Sequence, residues 1–201
     1  MLKIALTKGR IEKKSTELFK QMGFDTSELE NKGRKLILNL NENVSVLIAK
    51  PNDVITYVTR GICDLGIVGN DTIVETGGSF FVISDLGFGK CKFALAGKAG
   101  TDFYSENRHK IIATKYPNVA RRFFEKKNMD IEIIKIEGSV ELAPILGLAD
   151  AIVDIVETGE TLKENGLEII EYISDISSRL IVNSASLKFK SNEINEFIDK
   201  I

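Results

Sequence analysis

The chain has 201 residues, 43% hydrophobic and 28% charged, enough for one large domain or two smaller lobes with separate cores. No apolar run approaches the ~20 residues that cross a bilayer, and the opening MLKIALTKGR has too short an apolar stretch for a secretory signal, so the expected location is cytoplasmic. A formal net charge of −2 with no dense basic arm or helix excludes a nucleic-acid binder; any anionic ligand must meet positive charge gathered locally.

Residues 2–6 read as a short apolar strand, followed by the basic turn Thr7-Lys8-Gly9-Arg10 and a helical pattern with Ile11, Leu18, Phe19 and Met22 inward. Residues 35–40 and 44–49 flank the polar turn Asn41-Glu42-Asn43 as a hairpin. Lys50 ends the second strand; Pro51 opens a helix at its first position, with Asp53 in the first turn and Val54, Ile55 and Val58 inward, before Gly61 stops it. A buried strand at 64–68, a short helix from Asn70-Asp71 and a strand at 80–86 follow.

Across 87–92, the run LGFGKC that begins at Leu86 leads straight to another apolar strand at 93–96 without a helix, which marks a crossing between lobes. A polar loop at 97–107 leads to a strand at 110–113 and an amphipathic helix at 116–127 with Val119, Ala120, Phe123 and Phe124 inward. Strands at 131–136 and 151–156 alternate with helices at 140–146 and from Thr161, a pattern that implies parallel strands with crossover helices. Residues 167–176 and 179–182 are extended, and a helix at 191–201 returns to the first lobe. The expected fold is α/β, with lobe I formed by 1–89 plus 178–201 and lobe II by 90–177. Cys63 and Cys91 lack metal-ligand spacing and read as reduced thiols in or beside strands; His109 stands in a polar stretch and reads as solvated.

The stretch most informative about function is 137–165, EGSVELAPILGLADAIVDIVETGETLKEN. A strand, the small polar loop Glu157-Thr158-Gly159-Glu160-Thr161 and a helix start can point backbone N–H groups, a helix dipole and two hydroxyls at one phosphate, although a plain helix cap uses the same residue types. Asp154, alternating with apolar residues near the strand's carboxyl end, is either solvated at the edge or placed for a ligand. A similar stretch, Asp64 to Val68 with ETGG at 75–78, is either an internal echo of Asp150 to Asp154 with ETGE or a chance product of strand-turn chemistry. Lys8, Arg10 and Lys50 sit at strand ends, where side chains reach the crevice at a sheet's carboxyl edge; Arg34 precedes a strand and can turn either way. Thr114, Lys115 and Tyr116 form another strand-to-helix junction, where the ring either packs on a purine or staples the helix start.

Taken in order, ALTKGR, DVITYVTRGICDLGIVGND from Asp53, LGFGKC from Leu86, IATKYPNVARRFF from Ile112, GSVELAPILGLADAIVDIVETGETLKENGL from Gly138 and ISSRLIVN from Ile176 resemble the ATP phosphoribosyltransferase family in its short form, across essentially the whole chain. The family's usual opening has proline where Thr7 stands, and arginine commonly fills the place of Lys50; lysine keeps the charge but not the guanidinium fork. The resemblance implies a type II periplasmic-binding-protein-like fold, two lobes with mixed or mostly parallel sheets around a cleft. It implies that Thr158, Gly159, Glu160 and Thr161 hold the 5-phosphate of phosphoribosyl pyrophosphate, with Asp154 or Glu157 toward the ribose hydroxyls. Lys8, Arg10, Arg34 and Lys50 would line the opposite wall for pyrophosphate and the ATP phosphates, with the Tyr116 region and Glu141 near the nucleotide.

The activity so implied is a glycosyl transfer that joins N1 of the ATP adenine to C1 of the ribose and expels pyrophosphate, the first step of histidine biosynthesis. Mg²⁺ is expected on the leaving group, no organic cofactor and no catalytic nucleophile are expected, and positioning with charge stabilisation carries the rate. The short form implies a homodimer core within a hetero-octamer completed by a regulatory subunit resembling histidyl-tRNA synthetase. The rival readings are a solute-binding or sensor domain of the same fold and a phosphoribosyltransferase acting on another base.

Overall fold

A computed structural model describes residues 1–105 and 109–201; positions 106 and 107 of the expected polar loop lie outside the described residues. In chain order the elements are β1 (Leu2–Thr7), α1 (Arg10–Gln21), α2 (Ser27–Glu30), β2 (Ile37–Asn39), β3 (Val44–Ala49), α3 (Pro51–Thr59), β4 (Leu65–Gly69), α4 (Asn70–Thr76) and β5 (Phe80–Asp85). Then come β6 (Cys91–Lys98), β7 (Lys110–Thr114), α5 (Pro117–Lys126), β8 (Ile131–Lys135), α6 (Leu142–Ile145), β9 (Ala151–Val156), α7 (Glu160–Glu164) and β10 (Leu167–Ile176). The chain closes with β11 (Ser178–Asn183), α8 (Ser184–Phe189) and α9 (Ser191–Ile198).

These elements form two compact units, Met1–Gly89 with Ser177–Ile201 and Lys90–Ile176. Ser177 belongs to the first because its carbonyl accepts the Asn70 N–H at 2.9 Å and its hydroxyl donates to Asp85 at 2.9 Å.

The first unit holds a six-stranded sheet in the order β2-β3-β1-β4-β11-β5. Its central strands β3, β1 and β4 run parallel, while β2, β11 and β5 add antiparallel flanks. One face packs Ile4, Leu6, Val46, Leu65 and Ile67 against Phe19 of α1 and Phe197 of α9; the other packs Ala5, Val68 and Ile181 against Val54, Ile55 and Val58 of α3. Covered on both faces, β4 is apolar at every position. Gly66 lets α3 approach closely, since a Cβ there would lie 2.8 Å from Val58 and 3.1 Å from Ile181.

The second unit holds a five-stranded sheet in the order β10-β6-β9-β7-β8, parallel at β9-β7-β8 and antiparallel at β6 and β10. Ala94, Ala96, Ala113, Val140, Ile152 and Leu162 form part of its core.

Both sheets are mixed, one of the two arrangements expected. Several elements are shorter than their sequence pattern suggests. β2 begins at Ile37 and α6 at Leu142, and Leu36 and Ile37 are 60% and 64% exposed beside a sheet edge where an apolar run gains no burial. Gly97 and Lys98 extend β6 into the expected loop. Two short helices, α2 and α8, have no counterpart in the periodicity.

The amino ends of the central strands are closed in the same way in both units. Asp64 donates its N–H to Lys3 O at 2.8 Å and accepts the Lys3 N–H on Oδ2 at 2.9 Å; Asp150 donates to Ile111 O at 2.8 Å and accepts the Ile111 N–H on Oδ2 at 2.8 Å. The echo between the two stretches therefore holds for the aspartate and its strand. It fails for the ETG triplets: residues 75–77 end α4, whereas 157–159 precede α7.

Asp64 is 5% exposed and also accepts the Ser186 hydroxyl at 2.7 Å and the Lys190 ammonium at 2.8 Å. Burial pushes its carboxyl up, but the hydrogen bonds from Lys190, Ser186 and Lys3 outweigh that and hold it below the ordinary 3.8. We expect Asp64→Asn to lower the unfolding free energy by about 2 kcal/mol near neutral pH, the scale of hydrogen bonds to a charged group. A depressed carboxyl contributes stability above its unfolded pKa and loses it as pH falls through the folded value. Urea unfolding should therefore show the deficit closing as pH falls below the ordinary 3.8; a deficit equal at neutral and acid pH would contradict the ionised role.

Candidate functional site

In the second unit, the parallel register Thr114↔Val153 and Thr114↔Lys135 brings the carboxyl ends of β7, β8 and β9 to one edge. Thr114, fully buried, donates its hydroxyl to Val153 O at 2.6 Å and accepts the Tyr116 N–H at 2.8 Å, so it locks the strand ends together. Lys115 follows directly.

Asp154 is half-buried near the end of β9. Burial pushes its carboxyl up to about 6; the Ile155 backbone N–H opposes this, Glu141 at the start of α6 adds repulsion, and Lys115 attracts. The structure thus assembles Asp154, Glu141 and Lys115 as one electrostatic group. A half-buried carboxylate facing another carboxylate costs stability unless a ligand or cation satisfies it.

Beyond β9, Glu157 and Thr158 are exposed and Gly159 turns the chain in the left-handed region at φ 82° and ψ 1°, where a side chain would be strained. Thr158 Oγ1 accepts the Glu160 N–H at 3.4 Å, and Gly159 O accepts the Lys163 N–H at 3.1 Å. Leu162 and Val156 anchor the turn from below. Glu160 and Thr161 are exposed at the start of α7. With only five residues, α7 has little macrodipole; the donors of this loop are its own N–H groups and hydroxyls.

In the first unit, the register Thr7↔Ala49 places Lys8 and Lys50 side by side, one residue past the ends of β1 and β3. Thr7 donates its hydroxyl to Ile67 O at 2.9 Å, as Thr114 does to Val153, and Lys8 N–H donates to Ala49 O at 2.9 Å. Each unit therefore ends its first parallel strand in a locking threonine followed by a lysine. Arg10 opens α1 and is exposed, and Lys50 is an exposed residue just before α3. Arg34 is exposed on the turn closed by the Lys35 N–H to Lys32 O bond at 2.9 Å.

That turn delivers a residue not singled out by sequence, Lys32, whose ammonium pairs with Glu12 Oε1. Burial, and then the charge of Lys8, push the Lys32 ammonium below its ordinary value. Lys8, Lys32 and Lys50 thus belong to one basic edge. Lys115 carried a usable signal, the Thr-Lys pair after a strand shared with Thr7-Lys8; Lys32 carried none, because its partner lies on another element.

Tyr116 precedes α5, and its ring meets Phe93 of β6 edge-to-face with centroids 5.0 Å apart. Arg121 is exposed and donates to Asn118 at 2.9 Å. His109 lies 3.8 Å from Asp130 with both side chains exposed. Cys63 is buried, and burial followed by Asp64 pushes its thiol up to about 11, far from the reactive range.

Between the ordinary 3.8 and about 6, folded Asp154 retains a proton that the unfolded chain has lost. Stability present at low pH is therefore lost as pH rises through this window. Asp154→Asn should raise the unfolding free energy near neutral pH by about 1–3 kcal/mol and give little gain near pH ~4. Thermal unfolding at both pH values checks this; a variant less stable than the parent at neutral pH would instead make Asp154 a structural group.

Residues 50–201 match the family model for ATP phosphoribosyltransferase, HisG. A curated ATP phosphoribosyltransferase from Clostridium kluyveri is 60% identical over all of this chain and 92% of its own length; one from Clostridium botulinum is 57% identical over all of this chain and 96% of its own. Among solved structures, the ATP phosphoribosyl transferase (HisG:HisZ) complex from Thermotoga maritima matches with a TM-score of 0.85 and 37% identity, over 100% of this chain and 96% of that one. The periplasmic aliphatic sulphonate binding protein SsuA from Escherichia coli matches with a TM-score of 0.60 and 12% identity, over 99% of this chain and 68% of that one, a likeness of fold alone. The fold is that of type II periplasmic binding proteins, and by its matches along the whole sequence the chain belongs to the ATP phosphoribosyltransferase family.

Proposed function

We propose that this chain transfers the 5-phosphoribosyl group of phosphoribosyl pyrophosphate to N1 of the ATP adenine, the first step of histidine biosynthesis, as a cytoplasmic enzyme. The observation that carries the site assignment is the end of β9, where a half-buried Asp154 precedes a tight turn of exposed hydroxyls. In this reading the second unit is the lobe for the sugar donor. Thr158, Gly159, Glu160 and Thr161 hold the 5-phosphate, while Asp154, Glu157 and Glu141 lie toward the ribose hydroxyls. The first unit supplies Lys8, Arg10, Lys50 and Arg34 to pyrophosphate and the ATP phosphates.

The N1 lone pair forms the new bond to C1, and the bond from C1 to the pyrophosphate oxygen breaks with its electron pair leaving on pyrophosphate. No proton must be removed from N1 first. Positioning two polyanions and stabilising the departing charge are the chain's tasks, and ammonium groups with backbone donors suit them. Mg²⁺ would accompany the substrate's pyrophosphate, where it would neutralise charge.

The Thermotoga relative was solved as a HisG:HisZ complex, which supports a second, regulatory subunit resembling histidyl-tRNA synthetase around a homodimer core, together a hetero-octamer.

Incubation with ATP, phosphoribosyl pyrophosphate and Mg²⁺, with and without the candidate regulatory subunit, should yield phosphoribosyl-ATP in at least one condition. None in either would sink the assignment. Thr161→Ala should weaken phosphoribosyl pyrophosphate binding by about 0.5–3 kcal/mol through loss of one hydrogen bond; calorimetric titration giving the parent dissociation constant would remove Thr161 from the phosphate site.

A further inference from the structure

Glu12 is an acidic residue in the first turn of α1, in the middle of the basic edge of the first unit, and only 8% exposed. Burying a carboxylate is costly unless both oxygens are satisfied. Here Oε2 accepts the Gly9 N–H at 3.2 Å and Oε1 takes the Lys32 ammonium. Gly9 has φ 101° and ψ −130°, and no atom lies within 4 Å of where its Cβ would be. Side-chain packing therefore does not hold this residue; the described contact that reaches its N–H is the Glu12 carboxylate. On either side of Gly9 stand Lys8 and Arg10.

We propose that Glu12, seated by Lys32, is a positioning residue for the transfer reaction: it sets the Lys8-Gly9-Arg10 turn so that the Lys8 ammonium is presented to substrate phosphate. The inference rests on the assignment of Lys8 and Arg10 to phosphate binding. Glu12 acts twice. It holds the Gly9 N–H, between the Lys8 N–H bonded to Ala49 O and the Gly9 carbonyl bonded to Lys13 N–H, and its negative charge offsets the mutual repulsion of Lys8 and Lys32, which would otherwise drive the two ammonium groups apart. A plain helix cap would affect stability alone. A positioning residue must also change the Michaelis constant of whichever substrate Lys8 contacts.

The test compares Glu12→Ala, Glu12→Gln, Lys32→Met and Lys8→Met in the full chain, with its regulatory subunit present if activity requires it. Michaelis constants for ATP and for phosphoribosyl pyrophosphate, kcat and melting temperature are read for each. Lys8→Met should raise KM for one or both substrates by about tenfold, and Glu12→Ala should raise KM for the same substrate by about fivefold with kcat within about twofold. Lys32→Met should follow the same substrate with a smaller change. Glu12→Gln, whose amide oxygen still accepts from Gly9 but no longer neutralises Lys32, should fall between the parent and Glu12→Ala. If Glu12→Ala does not fold, Glu12→Gln decides by the same criterion. Parent-like KM values in the Glu12 variants alongside a raised KM in Lys8→Met overturn the inference and leave the phosphate assignment standing. Parent-like KM and kcat values in Lys8→Met overturn both.

Discussion

Both sheets depend on one arrangement, a pair of parallel strands closed at the amino edge by an aspartate and locked at the carboxyl edge by a threonine. Parallel pairing leaves slanted, partly unmatched backbone groups at each end of the ladder. Asp64 and Asp150 take up the Lys3 N–H of β1 and the Ile111 N–H of β7, each the second residue of its strand, while the Thr7 and Thr114 hydroxyls reach across to β4 and β9. With the strand ends satisfied by internal groups, the residues immediately beyond them are released from structural duty. Lys8 and Lys115 occupy those positions.

The two edges so prepared differ in electrostatic character. In the first unit, Lys8, Lys32 and Lys50 stand with one buried carboxylate, Glu12, which pairs with Lys32. In the second, two carboxylates, Asp154 and Glu141, are moderated by one lysine, Lys115. The first suits a highly charged anion such as a polyphosphate. The second suits hydroxyl groups, which donate to carboxylates, next to a smaller patch of N–H and hydroxyl donors for a monoester phosphate.

How much of this was legible in the sequence follows from the range over which each decision is made. Pro51 at the start of α3, Gly159 in the turn after β9 and the strand-end position of Lys8 are dictated within a few residues, and local rules find them. The partnership of Lys32 with Glu12 joins positions 20 apart through folding of α2 and its loop, which no periodic pattern announces. Tyr116 is similar: its junction is readable, but whether the ring faces a ligand or the core depends on Phe93 arriving from another strand. Strand direction is equally remote, so apolar alternation left mixed and mostly parallel sheets both open, and the antiparallel flanks make them mixed.

The interleaving of the two units also carries a consequence for biosynthesis on the ribosome. The second unit is one continuous segment, and every strand of its sheet is available once Ile176 has been made. The first unit is not so favoured. β5 pairs with β11 and with no other described strand, Asp64 awaits Ser186 and Lys190, and Phe19 awaits Phe197. The amino-terminal half must therefore persist as an incomplete sheet, with an apolar edge exposed, until the last 25 residues emerge. Any arrest of translation in that interval would strand a finished second unit on an unfinished first one, the kind of species that association with chaperones is suited to protect.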